Sequence, residues 1–218
     1  MGKRGPAPKG KVQIKWSPSF AYAIGLITTD GNLSSDKRHI SFTSKDLLLA
    51  KNFCTALKIP CKISQKARAR GQEKIYYVVQ FSDVVFYQFL VSIGLMPRKS
   101  KVMKEIKIPD AYARDFLRGH FDGDGTLYAY VDKRWKNSYM FYTAFVSASE
   151  EHILWIRDLI RRRLGAKGHI SKAKRSSVYQ LRFGKGESLK IFKNMYYGRE
   201  VICLTRKYRK FSSFLRKK

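Results

Sequence analysis

The sequence predicts an α+β protein that contains two copies of one unit in tandem, related by pseudo-symmetry. The first observation is a short motif, AIGLITTDG (23–31), in which an acid and a glycine close an apolar stretch, and it returns as LRGHFDGDG (117–125). The second observation is that the same order of segments follows each motif: a hairpin, a helix, a second hairpin and a closing helix. Each unit is therefore expected to be αββαββα.

In the first copy, the middle helix is expected to begin within FTSKD, where Thr43 and Asp46 have the spacing of a capping box. The helix LLLAKNFCTALKIP carries apolar residues at helical spacing and stops at Pro60. Two alternating strands, CKISQKARAR and IYYVVQF, then form the second hairpin. VVFYQFLVSIGL follows as the closing helix.

The second copy repeats this order with a longer loop before its middle helix. VSASE places Ser147 and Glu150 at the same capping spacing, and HILWIRDLIRRRLG runs as a helix to Gly165. GHISKAKR and VYQLRF form the second hairpin, with a shorter connecting loop than in the first copy. SLKIFKNMYY is the closing helix.

The repeat divides the chain into two halves flanked by basic ends. We predict a basic flexible arm over 1–16, a first half over 17–95, a linker over 96–110, a second half over 111–200 and a basic helical tail over 201–218.

The charge balance indicates a polyanionic partner. Of 218 residues, 45 are Lys or Arg and 16 are Asp or Glu, which gives a formal net charge of +29. Such a surplus repels itself unless a polyanion neutralises it, so nucleic acid is the expected partner and an anionic membrane the weaker alternative. The most extended mostly apolar stretch, FYQFLVSIGLM, is too short to span a bilayer.

The cysteines and the N-terminus indicate an intracellular protein. The three cysteines form no CxxC pair and are odd in number, so we expect reduced thiols in the core. The basic start MGKRGPAPKGK has no apolar segment behind it, which argues against a signal peptide. We expect a protein of the cytoplasm, nucleoid or organelle matrix that is not secreted.

The motif helices carry small residues on one face. Gly25 and Thr29 are four residues apart, as are Gly119 and Gly123. Small side chains at this spacing form a stripe that lets two helices approach more closely than the usual 8–10 Å or so. We therefore expect the motif helices to pack together at the interface between the two halves.

This packing places the two motif acids, Asp30 and Asp124, side by side at the ends of their helices. Two carboxylates brought together need a cation, and oxygen ligands suit Mg²⁺. A divalent ion between paired acids and a phosphate is an arrangement that cleaves phosphodiesters. It also reconciles acids with a polyanionic partner, because the metal reverses the local sign of the charge.

The two motifs resemble those of the monomeric LAGLIDADG homing endonucleases, and the resemblance covers almost the whole chain from about Ser17. It implies motif helices at the interface, strands that form a saddle over double-stranded DNA, and a Mg²⁺-dependent double-strand cut at a long target. Carried over by position, Asp30 and Asp124 are the catalytic metal ligands, and Thr29 and Gly123 supply backbone carbonyls. We also expect Mn²⁺ to substitute and Ca²⁺ to support binding without cleavage.

The sequence departs from the family pattern at two positions. The family has a further acid two residues before the catalytic one; Asp122 keeps this acid, which is taken as structural, whereas Thr28 does not. His120 stands where the family has an apolar residue, and we expect it to be a packed interface side chain.

The resemblance also implies a basic residue near the metals, at the end of the fourth strand of a half. YQLRFGK places Lys185 there, so Lys185 is a candidate for stabilising the charged transition state, with a merely solvated lysine as the alternative. A polar residue that orders solvent is expected at the start of the middle helix. Ser44 and Ala148 occupy these places, and Ser44 is a weak candidate for this role.

The strands indicate a DNA-binding face. In the third strand, basic and polar residues alternate with Ile63, Gln65 and Ala67, and such a ribbon fits the major groove, where Arg and Gln read base edges. The residues that we predict to contact nucleic acid, including loop residues on phosphates, are Asn32, Ser34, Lys37, Arg38, Lys62, Ser64, Lys66, Arg68, Arg70, Tyr76, Gln80, Tyr128, Tyr130, Lys133, Arg134, Lys136, Lys172, Lys174, Arg175, Gln180 and Arg182.

These side chains differ between the halves, so the target is expected to be an asymmetric, imperfect palindrome. The leading hypothesis is a monomeric, site-specific DNA endonuclease that uses Asp30 and Asp124. Two alternatives remain open: an RNA-binding intron maturase and a non-catalytic DNA-binding regulator, both on the same fold. The intact acid pair argues against the regulator, because a protein without chemistry has no need of two adjacent like charges.

Overall fold

The computed structural model describes residues 10–60, 62–67, 75–131, 139–172, 177–198 and 200–216. The first unit consists of α1 (Pro18–Asp30), β1 (Gly31–Leu33), β2 (His39–Ser44), α2 (Leu47–Leu57), β3 (Ile63–Ala67), β4 (Ile75–Ser82) and α3 (Val84–Ser92). The second consists of α4 (Ala113–Asp124), β5 (Thr126–Val131), β6 (Tyr139–Ser147), α5 (Glu150–Leu164), β7 (His169–Lys172), β8 (Tyr179–Phe183) and α6 (Lys185–Met195), and α7 (Thr205–Arg216) follows it.

Each unit contains one antiparallel four-stranded sheet, and the strand order is the same in both. The first sheet runs β1-β2-β4-β3 and the second runs β5-β6-β8-β7. The α+β class and the tandem αββαββα duplication are therefore confirmed. The helices cover one side of each sheet, since Ile40, Phe42 and Val79 alternate along β2 and β4 and are buried in the core.

The motif helices α1 and α4 pack directly on each other. A Cβ added at Gly25 would overlap the Phe116 carbonyl oxygen, and one at Gly119 would overlap the Tyr22 carbonyl oxygen. Backbone thus contacts backbone at both glycines, as the small-residue stripe predicted. This interface is at the centre of the molecule and joins the two units.

The middle helices begin later than the capping-box spacing predicted. Asp46 is the N-cap of α2 and accepts a hydrogen bond from the Leu48 amide at 3.0 Å, and Ser149 is the N-cap of α5. Thr43 and Ser147 instead belong to strands, because Thr43 is paired with Val78 in the ladder and cannot leave it to cap a helix.

The segments between the units and after the second unit pack tightly. Met103 and Ile106 of the segment before α4 are buried. α7 lies against the second sheet and α6, and its Phe211 ring stacks on Phe192 with the ring centroids 3.6 Å apart. Buried Arg118 pairs with Asp115 at 2.7 Å and donates to carbonyls of the chain that leads into α7.

The structure bears on the expectations about membrane-spanning helices and about the cysteines. No helix in the described part of the chain is long and apolar enough to cross a bilayer. Cys203 is a free, half-buried thiol, whereas Cys54 is disulfide-bonded, so the expectation of three reduced cysteines is wrong for Cys54.

Candidate functional site

The acids Asp30 and Asp124 are the last residues of α1 and α4, and each is followed by the glycine that begins a strand. Because the helix ends meet at the interface, a Cβ added at Gly123 of α4 would lie 2.9 Å from a carboxylate oxygen of Asp30 and would overlap the Thr29 hydroxyl. Asp30 is half-buried, while the Asp124 side chain opens to solvent. The predicted juxtaposition of the two motif ends is thus present.

The two carboxyl groups have raised pKa values, chiefly because they are partly buried. Burial raises the pKa of Asp30 to about 7, and the neighbouring charge of Asp124 adds to this shift. Surrounding protein raises the pKa of Asp124 as well, although its side chain reaches solvent. A carboxyl pair with raised pKa values takes up protons or a cation near neutral pH, which is the electrostatic condition for a metal site.

Each of the two motif helices has a lysine that contacts its C-terminal end. Lys99, in the turn after α3, donates to the Gly31 carbonyl at the end of α1. Lys207 of α7 donates to the carbonyls at the end of α4, with Nζ–O distances of 2.6 Å to Phe121, 2.9 Å to Asp122, 3.2 Å to Gly123 and 2.6 Å to Gly125. The two lysines therefore play matching parts in the two halves.

Both lysines are almost fully buried, with 6% of Lys99 and 7% of Lys207 exposed. Burial lowers the pKa of each to about 8, against the attraction of the acids. Their charges in turn lower the pKa values of Asp30 and Asp124. Two cations thus act on two carboxylates in a partly buried cluster.

The structure does not bring Lys185 into this cluster. Lys185 begins α6 with an exposed side chain, and its charge does not affect the pKa of either motif acid. Lys99 and Lys207, which sequence reasoning missed, stand where a basic residue near the acids was expected. A signal was available, because an Arg-Lys pair follows the closing helix of each half, at 98–99 and at 206–207.

The second acid of the second motif connects the interface to the tail. Asp122 is fully buried and accepts hydrogen bonds from the Tyr22 hydroxyl at 2.9 Å, the Tyr196 hydroxyl at 2.8 Å and the Leu204 amide at 2.6 Å. Its first-half counterpart Thr28 donates to its own helix, to the Ile24 carbonyl. The contacts of Asp122 anchor the chain three residues before Lys207.

His120 is packed, but its ring lies inside the second unit, against Phe116, Phe145 and His152. Only its backbone nitrogen faces Gly25 across the interface, so the expectation of an interface side chain is wrong. His120 is 1% exposed, and its Nε2 lies 3.1 Å from Nε2 of His152. His152 Nδ1 donates to the Lys104 carbonyl at 2.7 Å, so its Nε2 accepts from His120. Burial lowers the pKa of both imidazoles, for His152 to about 4, which keeps the pair neutral.

A groove of about 610 Å³ runs from Asp30 and Gly123 across the outward face of the first sheet, the side away from the helices. Ser44 also lines the groove, at the end of β2, and accepts a hydrogen bond from the Asp46 amide at 3.0 Å. The side chains on the sheet that line the groove are Ser41, Thr43, Lys66, Tyr76, Val78 and Gln80.

Strand register places the predicted contact residues of the first half on this outward face. Ser64 pairs with Val78, Lys66 with Tyr76, and Ser41 with both Gln80 and Asn32. Cross-strand partners share a face, so the alternation predicted for the third strand is present in its described part. Ser34, Lys37 and Arg38 are in the turn between β1 and β2, and exposed Lys62 precedes β3.

In the second half, Tyr128, Tyr130, Gln180 and Arg182 are on the corresponding outward face. Lys172 is not. It pairs with Tyr179 on the opposite side, where its Nζ lies 3.1 Å from the Tyr179 hydroxyl, because alternation turns Ser171 outward and Lys172 inward. The predicted residues outside the described ranges are Arg68, Arg70, Lys133, Arg134, Lys136, Lys174 and Arg175.

The donors at the helix ends fit a hard divalent cation. No group of three or more His, Cys, Asp or Glu side chains is placed to hold a metal within the ranges that the structure describes. The side-chain oxygen atoms at the helix ends are the carboxylates of Asp30 and Asp124, and the Gly123 backbone carbonyl on α4 accepts from Lys207 Nζ at 3.2 Å. An all-oxygen set with raised carboxyl pKa values suits Mg²⁺ or Mn²⁺ and not a thiolate-bound metal.

Comparisons of the sequence and of the structure with known proteins bear on the fold of the chain. Residues 111–196 match the family model of the LAGLIDADG-like domain. No curated protein sequence matches the chain significantly.

Several solved structures share the fold. Full-length DUF199/WhiA from Thermatoga maritima is 14% identical with a TM-score of 0.58, and the match covers 95% of this chain but 64% of the length of that protein. The homing endonuclease I-WcaI bound to its DNA recognition sequence is 14% identical with a TM-score of 0.60, over 85% of this chain and 84% of that one.

I-DmoI in complex with DNA and Mn is 16% identical with a TM-score of 0.53, over 84% of this chain and 98% of that one. At these identities the likeness establishes the fold. Residues 111–196 are thus a LAGLIDADG-like domain, and the chain as a whole has the fold of the two-domain LAGLIDADG homing endonucleases.

Proposed function

We propose that this protein is a site-specific double-strand DNA endonuclease that hydrolyses phosphodiesters with a divalent metal, Mg²⁺ or Mn²⁺. One observation carries the proposal: Asp30, the last acid of α1, lines a groove over a polar sheet face together with Gly123, and the neighbouring charge of Asp124, the last acid of α4, raises the pKa of Asp30. The DNA complexes of I-WcaI and I-DmoI, the latter with Mn, support it.

Asp30 and Asp124 would hold the metal through their carboxylates, with the Thr29 and Gly123 carbonyls beside them. When bound, the ion polarises the scissile phosphate and lowers the pKa of a water molecule. Hydrolysis consumes one water per strand, breaks one P–O bond, and leaves a hydroxyl and a phosphate. Lys99 and Lys207 fix the helix ends that carry the acids and add positive charge where the phosphate gains negative charge.

The charge and the two unlike halves fit a protein that acts on DNA as a monomer. The net charge of +29 favours a polyanion, and the two halves present different side chains to it. We therefore propose a long, asymmetric target. An intracellular location and a link to intron homing are part of the same proposal.

Cleavage of a randomised double-stranded DNA library with Mg²⁺ tests this function. Wild type is expected to yield discrete cut sequences, and Asp30→Asn or Asp124→Asn to yield none while both still bind the same DNA with Ca²⁺. Asp158→Asn is the matched control, since Asp158 is a surface acid on α5 paired with Arg157, and it should cut like wild type. Cutting by an Asp30→Asn variant at the wild-type rate would remove that acid from the mechanism.

A second candidate is a DNA-binding protein without cleavage. The similarity to DUF199/WhiA, which is not named as an endonuclease and matches 95% of this chain, favours it. Enrichment of bound DNA without cuts from wild type would select this candidate. Neither cutting nor selective DNA binding would instead direct the search to structured intron RNA, as for a maturase.

A further inference from the structure

The outward face of the second sheet carries a row of stacked tyrosines. Tyr128 and Tyr142 stack with ring centroids 5.1 Å apart and ring planes 13° apart, and Tyr130 stacks on Tyr142 at 6.0 Å and 11°. The Arg182 guanidinium lies over the Tyr128 ring, 5.5 Å from its centroid. We call Tyr128, Tyr142 and Tyr130 the tyrosine row.

The row presents its ring edges to a ligand. Tyr128 is directly opposite Tyr142 in the β5–β6 ladder, and Tyr130 is two residues further along β5. Because neighbouring rings cover one another's faces, the ring edges are the parts left to contact a ligand, and the Tyr130 and Tyr142 hydroxyl oxygens lie 3.5 Å apart. Stacking restricts the rings, so little rotamer entropy remains to be lost on binding.

The rest of this strand pair is also mainly apolar on its outward side. Met140, Ala144 and Val146 of β6 share the face with Tyr142. The corresponding positions of the first sheet are polar, since β1 and β2 present Asn32, Ser41 and Thr43. The two sheets therefore offer different chemistry to the two halves of a DNA target.

Apolar contacts in the major groove have one specific partner. Among the groups that base pairs present there, the C5-methyl of thymine is the apolar one, whereas the others donate or accept hydrogen bonds. On the outward face of the second sheet, ring edges take the place of polar side chains. The tyrosine row thus distinguishes thymine from cytosine and purines.

From this arrangement we infer that the half-site covered by the second sheet is thymine-rich, with thymine methyl groups packed on the tyrosine row. The inference rests on the proposed function and names the sequence class that one half of the same DNA face takes. On the first sheet Lys66 and Gln80 read guanine and adenine edges, and on the second sheet Gln180 and Arg182 of β8 do so beside the tyrosine row.

The experiment is selection of bound duplexes from a randomised library with Ca²⁺, so that binding is measured without cutting. Wild type is compared with Tyr142→Ser, which removes the middle ring, and with Tyr76→Ser, a matched change on the outward face of the first sheet. Tyr142→Ser should relax base preference at thymine positions of one half-site, and Tyr76→Ser should relax positions of the other half-site. Thermal unfolding of each variant checks that it is folded.

Uracil provides the second arm, because it lacks only the C5-methyl of thymine. Replacing thymine by uracil in the predicted half-site should raise the Kd of wild type by roughly three- to fivefold for each methyl group removed. Tyr142→Ser should lose this sensitivity. Tyr142→Phe should keep it, since phenylalanine retains the ring edge.

Four outcomes overturn the inference. The first is enrichment of DNA without thymine at the positions that Tyr142→Ser relaxes. The second is that uracil weakens DNA binding by wild type and by Tyr142→Ser equally. Either result removes the thymine assignment and leaves the proposed function standing. A dimer that forms without DNA and dissociates in Tyr142→Ser would assign the row to a protein interface. If no DNA sequence is enriched at all, the proposed function fails and this inference falls with it.

Discussion

Lys207 connects the C-terminal helix to the candidate active site. Its ammonium group donates to four carbonyls at the end of α4, from Phe121 to Gly125, and is buried there. A helix C-terminus carries partial negative charge, which a buried cation stabilises. The position of Asp124, the last residue of α4, therefore depends on a side chain more than eighty residues away along the chain.

Removing the Lys207 charge should change both stability and the motif acids. Lys207→Met leaves buried carbonyls unpaired and is expected to lower the free energy of unfolding by about 1–3 kcal/mol. It should also raise the pKa of Asp30 above its value of about 7, because the Lys207 charge now lowers it. Denaturant titration and ¹³C titration of the carboxyl groups in metal-free protein measure the two effects. Lys185→Met, on the exposed lysine of α6, should change neither.

The buried imidazoles predict acid sensitivity. The pKa of His152 is lowered from 6.5 to about 4 in the folded state, so the unfolded chain takes up a proton first as the pH falls. Buried neutral His152 therefore makes its full contribution to the free energy of unfolding above pH 6.5. This contribution is lost between pH 6.5 and 4, by up to roughly 3 kcal/mol for this one group.

His152→Gln, which cannot titrate, should therefore lose less stability than wild type between pH 7.5 and about 5 in guanidinium unfolding. The raised pKa of Asp30 contributes with the opposite sign, so the difference between the two proteins isolates the imidazole. His169→Gln is the control, because His169 is exposed on β7, and it should follow wild type. Equal pH dependence of wild type and His152→Gln would contradict the assignment.

At the scale of elements, the interface of α1 and α4 determines whether the two acids meet. Gly119 lies where the backbones touch, and a Cβ there would overlap the Tyr22 carbonyl oxygen. Neither backbone can give way without moving its whole helix, because both helices are buried along this face.

Gly119→Ala is accordingly expected to destabilise the protein by roughly 1–3 kcal/mol, the range for overpacking a core. It should also reduce cleavage, since the helix ends are pushed apart. Gly186→Ala is the matched control on α6, where an added Cβ meets nothing within 4 Å. This control should be neutral or gain up to about 1 kcal/mol from helix propensity, and equal losses from both variants would argue against close packing at Gly119.

At the scale of the whole molecule, a net charge of +29 dominates the interaction with DNA. This charge extends over a long surface. The surface includes the polar groove face and the basic turn between β1 and β2, and it spans two units of similar fold. Each phosphate that the protein neutralises releases counterions.

The affinity for DNA should fall steeply as salt rises, with a slope of log K against log salt of about −0.9 for each phosphate contact. Lys37→Gln, in the turn between β1 and β2, should make the slope shallower by about 0.9 if Lys37 contacts one phosphate. Lys51→Gln, on the exposed side of α2 away from the sheet face, should leave it unchanged. Fluorescence anisotropy over a salt series measures both slopes, and a nearly flat dependence for wild type would contradict a polyanionic partner.

Much of the fold and the position of the acids could be read from local patterns. The helical and alternating periodicities, the repeated order of segments and the glycines of the motifs are properties of short stretches, and Gly25 and Gly119 by themselves indicated the close helix pair. Asp30 and Asp124 followed because each motif acid stands at the end of such a helix.

Tertiary packing determined the contacts that join distant segments. Lys172 was assigned to the DNA face, but the register of β7 on β8 turns it to the other side, and a strand of four residues leaves the phase of alternation open. Lys99 and Lys207 are two among many basic residues in the sequence, and the fold alone buries them against the helix ends. The sequence by itself thus determines the repeat and the acid pair. The cations around the acids and the stacked tyrosines form only where separate strands and helices come together. The reason is that burial and cross-strand contact have no signature in a short stretch of sequence.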